Sequence, residues 1–159
     1  MDAHKFPWLE NVKLMLSRPK AVQLGALCFR QGKGGKLEVL LITSSRGRWI
    51  LPKGWPISGL DSWETALQEA WEEAGVREGK PWRRPLTSYQ TVKKHDSGLE
   101  RDCTVWVYPV EVTQMRKDYP EADKRQRAWL SIDGACQRAD DPGVCDVLKQ
   151  FAQEMEAKA

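Results

Sequence analysis

The chain is short of several things. No apolar run approaches the roughly 18 residues of a membrane span, so no spanning helix is expected. The N-terminal stretch carries Glu10 and Lys13 inside its most apolar part, which does not suit the core of a signal peptide. The four cysteines, Cys28, Cys103, Cys136 and Cys145, show no CxxC spacing. That excludes the usual zinc and redox motifs and leads us to expect reduced, buried thiols in a cytoplasmic protein. Internal repeats and low-complexity linkers are missing, so the 159 residues are expected to form one domain over 1–159. An excess of one charge is missing too. Lys and Arg number 25 against 22 Asp and Glu, a net of +3, which does not favour a nucleic-acid binder.

What is there is a segregation of charge. Between Leu51 and Gly79 stand two basic residues, Lys53 and Arg77, and six acidic ones: Asp61, Glu64, Glu69, Glu72, Glu73 and Glu78. The net there is −4, and the remaining chain, with 23 basic and 16 acidic residues, sums to +7. Around this island, a helix is expected over 6–15, ended by Pro19. Strands are expected over 21–30, 37–43, 48–51, 87–94, 103–112 and 127–131. The Gly-rich loop 31–35 lacks the GxxxxGK[ST] spacing and a following helix, so it is read as a hairpin turn. Pro109 suggests an edge or a bulge in its strand. In the C-terminal helix 142–157, Val144, Val147, Leu148, Phe151, Ala152 and Met155 recur on one face, with Asp141 as N-cap and Pro142 in the first position.

The acidic segment reads as a helix over 61–74. Asp61 and Glu64 have the spacing of a capping box, and Gly75 suits the left-handed position past the end. At 100° per residue, Trp63, Ala66, Leu67, Ala70, Trp71 and Ala74 fall in one apolar arc, while Glu69, Glu72 and Glu73 converge on another. Like charges at i, i+3 and i+4 repel, and anions near a helix C-terminus oppose the macrodipole. A cation between the carboxylates would offset both costs. Leu51-Pro52-Lys53-Gly54 lies just upstream, and a glycine lets its backbone carbonyl approach closely. Oxygen-only ligation by Gly54, Glu69, Glu72 and Glu73 points to Mg2+ or Mn2+ rather than zinc.

The stretch Gly54–Val76 resembles the Nudix box, Gx5Ex7REUxEExGU, with U aliphatic. Gly54, Glu69, Glu72, Glu73, Gly75 and Val76 match in register; Leu60 replaces the first glutamate and Gln68 the arginine. In the family that arginine orients a metal-binding glutamate through an ion pair, for which Gln68 offers only a hydrogen bond. The resemblance implies an α/β (α+β) fold, an α-β-α sandwich with a mixed sheet between helices. It also implies Mg2+-dependent hydrolysis of a pyrophosphate bond, with Glu69, Glu72 and Glu73 holding metal and Glu69 or Glu73 able to act as base. Glu100 and Glu111 are candidates for a base from a later segment.

Lys53 in Pro-Lys-Gly resembles diadenosine tetraphosphate hydrolases, and the basic inventory resembles diphosphoinositol polyphosphate phosphohydrolases. A polyphosphorylated small molecule is therefore the expected partner. Arg46, Arg48, Lys53, Lys93 and Arg101 are expected at its phosphates and Trp55 beside it. Arg18, Lys20, Lys94, His95, Lys124, Arg125 and Arg127 complete the basic inventory. Trp63, Trp71 and Trp106 are assigned to the core. Leu60 and Gln68 motivate a second reading, a non-catalytic phosphate-ligand sensor. An RNA 5′-end pyrophosphohydrolase is a third, which the modest net charge does not favour.

Overall fold

A computed structural model describes residues 21–94 and 96–159. The helix expected over 6–15, together with Arg18, Lys20 and His95, lies outside the described residues. The first strand, β1 (Ala21–Gln31), turns through a short 3-10 segment, Lys33–Gly35, into β2 (Leu37–Thr43). The turn residues Gly34 and Gly35 both have φ of 73°, the left-handed region that glycine enters freely. Then come β3 (Trp49–Ile50), β4 (Lys53–Gly54), helix α1 (Ser62–Ala74), β5 (Val76–Pro81), β6 (Thr87–Lys94), β7 (Glu100–Met115) and β8 (Arg127–Ser131). Two helices finish the chain, α2 (Ile132–Arg138) and α3 (Pro142–Ala157).

The strands join one mixed sheet in the order β3-β2-β1-β7-β5, with β4 on β1, β6 on β7 and β8 on β2. β1 and β7 run parallel from Ala21 opposite Cys103 to Phe29 opposite Glu111; the other pairs are antiparallel. Side chains alternate across the sheet. Leu27, Phe29, Val39, Leu41, Val105 and Val107 meet Val144, Val147, Leu148 and Phe151 of α3 on one face. Leu24, Ala26, Cys28, Leu40, Ile42 and Val110 meet Ala66, Ala70 and Ala74 of α1 on the other. The helices therefore sandwich the sheet, as the expected α-β-α fold requires.

The two faces are packed differently. Each large side chain that α3 buries contributes about 1.5–3 kcal/mol. The α1 contact is made by three fully buried alanines, which let the helix lie close to the sheet. Its start is closed by a capping box, with Glu64 accepting the Asp61 N–H at 3.0 Å, and Gly75 ends it at φ 74°, donating to the Trp71 carbonyl at 3.0 Å.

Several expectations need correction. Pro109 lies inside a central strand opposite Leu27, at neither an edge nor a bulge. Its carbonyl accepts from Trp82 N–H at 2.9 Å. Its missing N–H faces the same side, where β7 passes from its β6 partner to its β5 partner, so no bond to β1 is lost. Trp63 only flanks the core, and Trp71 lies outside it, because the alanine stripe makes the contact. Arg83 stacks over Trp63 at 5.0 Å and Arg77 over Trp71 at 5.5 Å. Trp106 is 41% exposed; α1 covers Tyr108 and Val110, and Trp106 falls outside that cluster. Cys136 and Cys145 form a disulfide, not two thiols. The short α2–α3 connection brings their Cα atoms within 4.5 Å, inside the range a disulfide spans. Cys28 and Cys103 are free and buried.

Candidate functional site

The site grows from the seam between α1 and β4. Antiparallel pairing of Leu24 with Gly54 and of Gly25 with Lys53 brings the end of the Pro-Lys-Gly segment against the inner edge of α1. A Cβ on Gly54 would overlap the Glu69 carboxylate, so only glycine leaves that carboxylate its present place. One turn further on, Glu73 is 8% exposed. Its Oε2 accepts the Lys53 backbone N–H at 3.2 Å, and its Oε1 lies 3.2 Å from Nη2 of Arg125.

The segment between β7 and β8 closes the far side. It is pinned to the C-terminal end of α1 by Arg116 N–H on the Gly75 carbonyl at 2.8 Å and Glu121 N–H on the Glu72 carbonyl at 3.0 Å. Arg127 Nη1 donates to the Ala74 carbonyl at 3.0 Å. These donors satisfy carbonyls left open at a helix end, and the guanidinium offsets the dipole that the glutamates oppose. The same segment delivers Glu121, whose Oε1 is 3.3 Å from Nη2 of Arg125.

Burial governs the electrostatics. The Glu73 carboxyl is pushed up to about 7, chiefly by desolvation, against the opposing pull of Arg125 and the Lys53 N–H. Glu69 is raised by burial first and then by the charges of Glu72 and Glu121. Lys53 is lowered, again by burial first, with Asp141 and Glu73 opposing that effect and Lys93 adding to it. A carboxyl raised this way gains much by meeting a cation.

The donor set suits a hard divalent ion: carboxylates, with a glycine backbone held against one of them. As the side chains stand, no three acidic, His or Cys groups among the described residues close on one point. Glu72 accepts from Gln68 Nε2 at 3.0 Å, and Glu73 is held by Arg125. Glu69, Glu73 and Glu121 are the carboxylates that face this seam, with Gly54 beside them.

The expected phosphate ligands divide. The Lys53 backbone N–H is at the seam on Glu73, while its side chain feels Asp141 and Lys93 ahead of Glu73. Lys93 Nζ lies 5.3 Å from the centre of the Trp55 ring, and Arg101 is opposite Lys93 in the β6–β7 register. Lys53, Trp55 and Lys93 therefore share one neighbourhood, and Arg101 adjoins Lys93. Arg48 is tied 2.9 Å from Asp141 at the start of α3, where Thr91 Oγ1 also donates at 3.1 Å. Asp141 thus stands at the N-cap position while its side chain serves other partners. Arg46 is exposed on the β2–β3 turn, apart from the carboxylates. Glu100 pairs with Lys94 at 3.5 Å on an exposed hairpin, and Glu111 is exposed opposite Phe29 and Lys80. The later carboxylate at the site is instead Glu121. It stands in an irregular segment with no periodicity; the turn residue Pro120 before it was the one available signal.

A mixed sheet between helices, with a glutamate-bearing helix facing a glycine at a strand end, defines a class of α/β sandwich. Residues 21–148 match the model of the NUDIX domain, and the chain belongs to that family. Among similar proteins, Nudix hydrolase 12, mitochondrial, of Arabidopsis thaliana is 32% identical over 126 residues, 76% of this chain and 61% of that one. Human diphosphoinositol polyphosphate phosphohydrolase 3-beta is 32% identical over 113 residues, 69% of this chain and 63% of that one. The chain spans less than two thirds of these curated relatives. Among solved structures, the Ap4A hydrolase of C. elegans matches with a TM-score of 0.62 at 20% identity, over 86% of this chain and 98% of that one. The NUDIX domain of Shewanella oneidensis NrtR, complexed with ADP ribose, matches at 0.63 and 16% identity, over 98% and 99%. At those identities the likeness is one of fold.

Proposed function

We propose that this protein hydrolyses a pyrophosphate bond in a small molecule carrying several phosphates, with Mg2+ or Mn2+ as cofactor. The observation that carries the reading is the seam where Glu69 meets Gly54 and Arg125 holds Glu73 and Glu121, with the Lys53 N–H on Glu73 and the Lys53 side chain near Lys93, which lies over Trp55. A bound divalent ion supplies charge neutralisation of the phosphates and lowers the pKa of a coordinated water. Glu69 and Glu73, with Gly54, would hold that ion, and Glu72, now bonded to Gln68, would join them if freed from that bond. Glu69, whose carboxylate lies against Gly54, would accept the proton of the attacking water. Lys53 and Lys93 bind the remaining phosphates as point charges, and Arg101 extends that row.

The named diphosphoinositol phosphohydrolase relative and the lysine pair favour a diphosphoinositol polyphosphate. A second reading, a diadenosine polyphosphate, is favoured by Trp55, which is 44% exposed and able to stack on a base. Trp106, exposed in the same row of the sheet as Gly54 and Leu24, adds a second ring. The test is phosphate release, with Mg2+, from a panel of both substrate types, nucleotide sugars and triphosphorylated RNA. The reading expects turnover of one of the first two, abolished by Glu69→Gln. Binding without turnover on the whole panel would instead establish a ligand sensor.

A further inference from the structure

Arg125 stands in the site for a reason that its sequence neighbourhood does not show. Its side chain is 13% exposed. Nη1 donates to the Thr43 carbonyl at 2.9 Å, while Nη2 reaches Glu73 Oε1 at 3.2 Å and Glu121 Oε1 at 3.3 Å. One planar guanidinium therefore ties the end of β2, the inner edge of α1 and the β7–β8 segment together. The next residue is locked to the same threonine: Gln126 N–H donates to Thr43 Oγ1 at 2.9 Å, and Thr43 N–H to the Gln126 carbonyl at 3.1 Å. On α1 itself the side chain placed to steady a carboxylate is Gln68. It is neutral and already engaged with Glu72 at 3.0 Å. The cationic partner of Glu73 thus comes from a different element.

We propose that Arg125 is a positioning residue: from the β7–β8 segment it fixes the Glu73 and Glu121 carboxylates against Gly54 and Glu69, the task Gln68 leaves undone on the helix. The inference rests on the hydrolase reading above. Three other roles make different demands. A purely structural tie would lower stability alone. A phosphate ligand would act on KM. A cation competing for the metal position would weaken metal binding by its presence.

The experiment compares wild type with Arg125→Gln, Arg125→Lys and Arg125→Gln/Gln68→Arg, all as the full chain. Mn2+ binding is read without substrate from the spin-resonance signal of the free ion. Turnover is read on the best substrate of the panel, and folding by circular dichroism. Arg125→Gln is expected to lower kcat and weaken Mn2+ binding by ~10–100-fold each, with KM moved by less than about twofold. Arg125→Lys keeps the charge without the fork and falls between. Gln68→Arg restores part of both losses, which a structural tie would not do. Mn2+ binding that is unchanged or tighter in folded Arg125→Gln overturns the proposal. So does a KM rise at constant kcat. Should Arg125→Gln fail to fold, Arg125→Lys decides: unaltered Mn2+ binding and kcat there overturn it. If wild type turns over nothing, the hydrolase reading fails, and the Mn2+ comparison still decides the role of Arg125.

Discussion

Replacing Glu73 with Gln separates what this carboxylate does for the fold from what it does for chemistry. In the metal-free protein its carboxyl is pushed up to about 7 by burial, from an ordinary value of 4.5, despite Arg125 and the Lys53 N–H. A raised carboxyl binds its proton more tightly in the folded state than in the unfolded one. Its contribution to stability is therefore fully present below pH 4.5 and is lost as pH rises through 7. The shift corresponds to a loss on the order of 3 kcal/mol between those limits. Glu73→Gln is neutral in both states, so it lacks this loss. Urea unfolding in EDTA should give similar stabilities for the two proteins near pH 4.5. At pH 8 the variant should be the more stable, by up to about 3 kcal/mol, at equal m-values. The same variant should lose Mg2+-dependent turnover. A stability gap that stays constant across this pH range would refute the burial argument. Turnover equal to wild type would refute the assignment of Glu73 to the metal.

Gly54→Ala should dissociate activity from stability. The new Cβ meets the flexible end of the Glu69 side chain, so unfolding should shift by less than about 1 kcal/mol, while displacement of that carboxylate should reduce turnover at least ~10-fold. Full activity in Gly54→Ala would show that the place of Glu69 is immaterial. The Cys136–Cys145 disulfide closes a sequence separation of 9, for which the chain-entropy model gives about 2.5 kcal/mol. Cys136→Ser should lose that amount in urea unfolding without reductant, and dithiothreitol should bring wild type to the same level. Insensitivity of wild type to dithiothreitol would remove the disulfide from the account.

The two long helices were legible because their signals are local and repeated. Asp61, Glu64 and Gly75 mark the ends of α1, and Val144, Val147, Leu148 and Phe151 mark the buried stripe of α3. The Gly54–Val76 register likewise brought Gly54 and Glu69 to one place, as expected. The misses have a different physical origin. β5 (VREGKP) buries only Val76 well, so it shows no alternation, and its pairing partner is set by the position of β7. α2 is a short helix containing Gly134, held by the Ser131 hydroxyl accepting from Gly134 N–H at 3.0 Å and by its disulfide to α3. Tryptophans at core-facing angles went to the flank because alanines at Ala66, Ala70 and Ala74 already filled the interface. Glu121 and Arg125 were hidden because their roles depend on where an irregular segment is pinned, by backbone bonds that carry no sequence pattern.

The acidic island itself proves to be several structures added together. Asp61 and Glu64 belong to the cap of α1, Glu78 lies exposed on β5, and Glu72 is turned to Gln68. Only Glu69 and Glu73 of the six face the seam, and a third carboxylate, Glu121, comes from outside the segment altogether. Nor does formal charge describe the potential there. Desolvation lifts the Glu73 carboxyl to about 7 even with Arg125 3.2 Å away, and that cation also arrives from outside the island. A solvated acidic face would keep its carboxylates ionised and would draw in any counter-ion weakly. Two carboxyls raised by burial gain most from an ion that carries two charges and accepts oxygen on several sides. Burial at the seam therefore bears on ion choice together with the glutamates: it sets a desolvation at Glu73 that the single charge of Arg125 does not overcome and that a divalent cation would oppose more strongly.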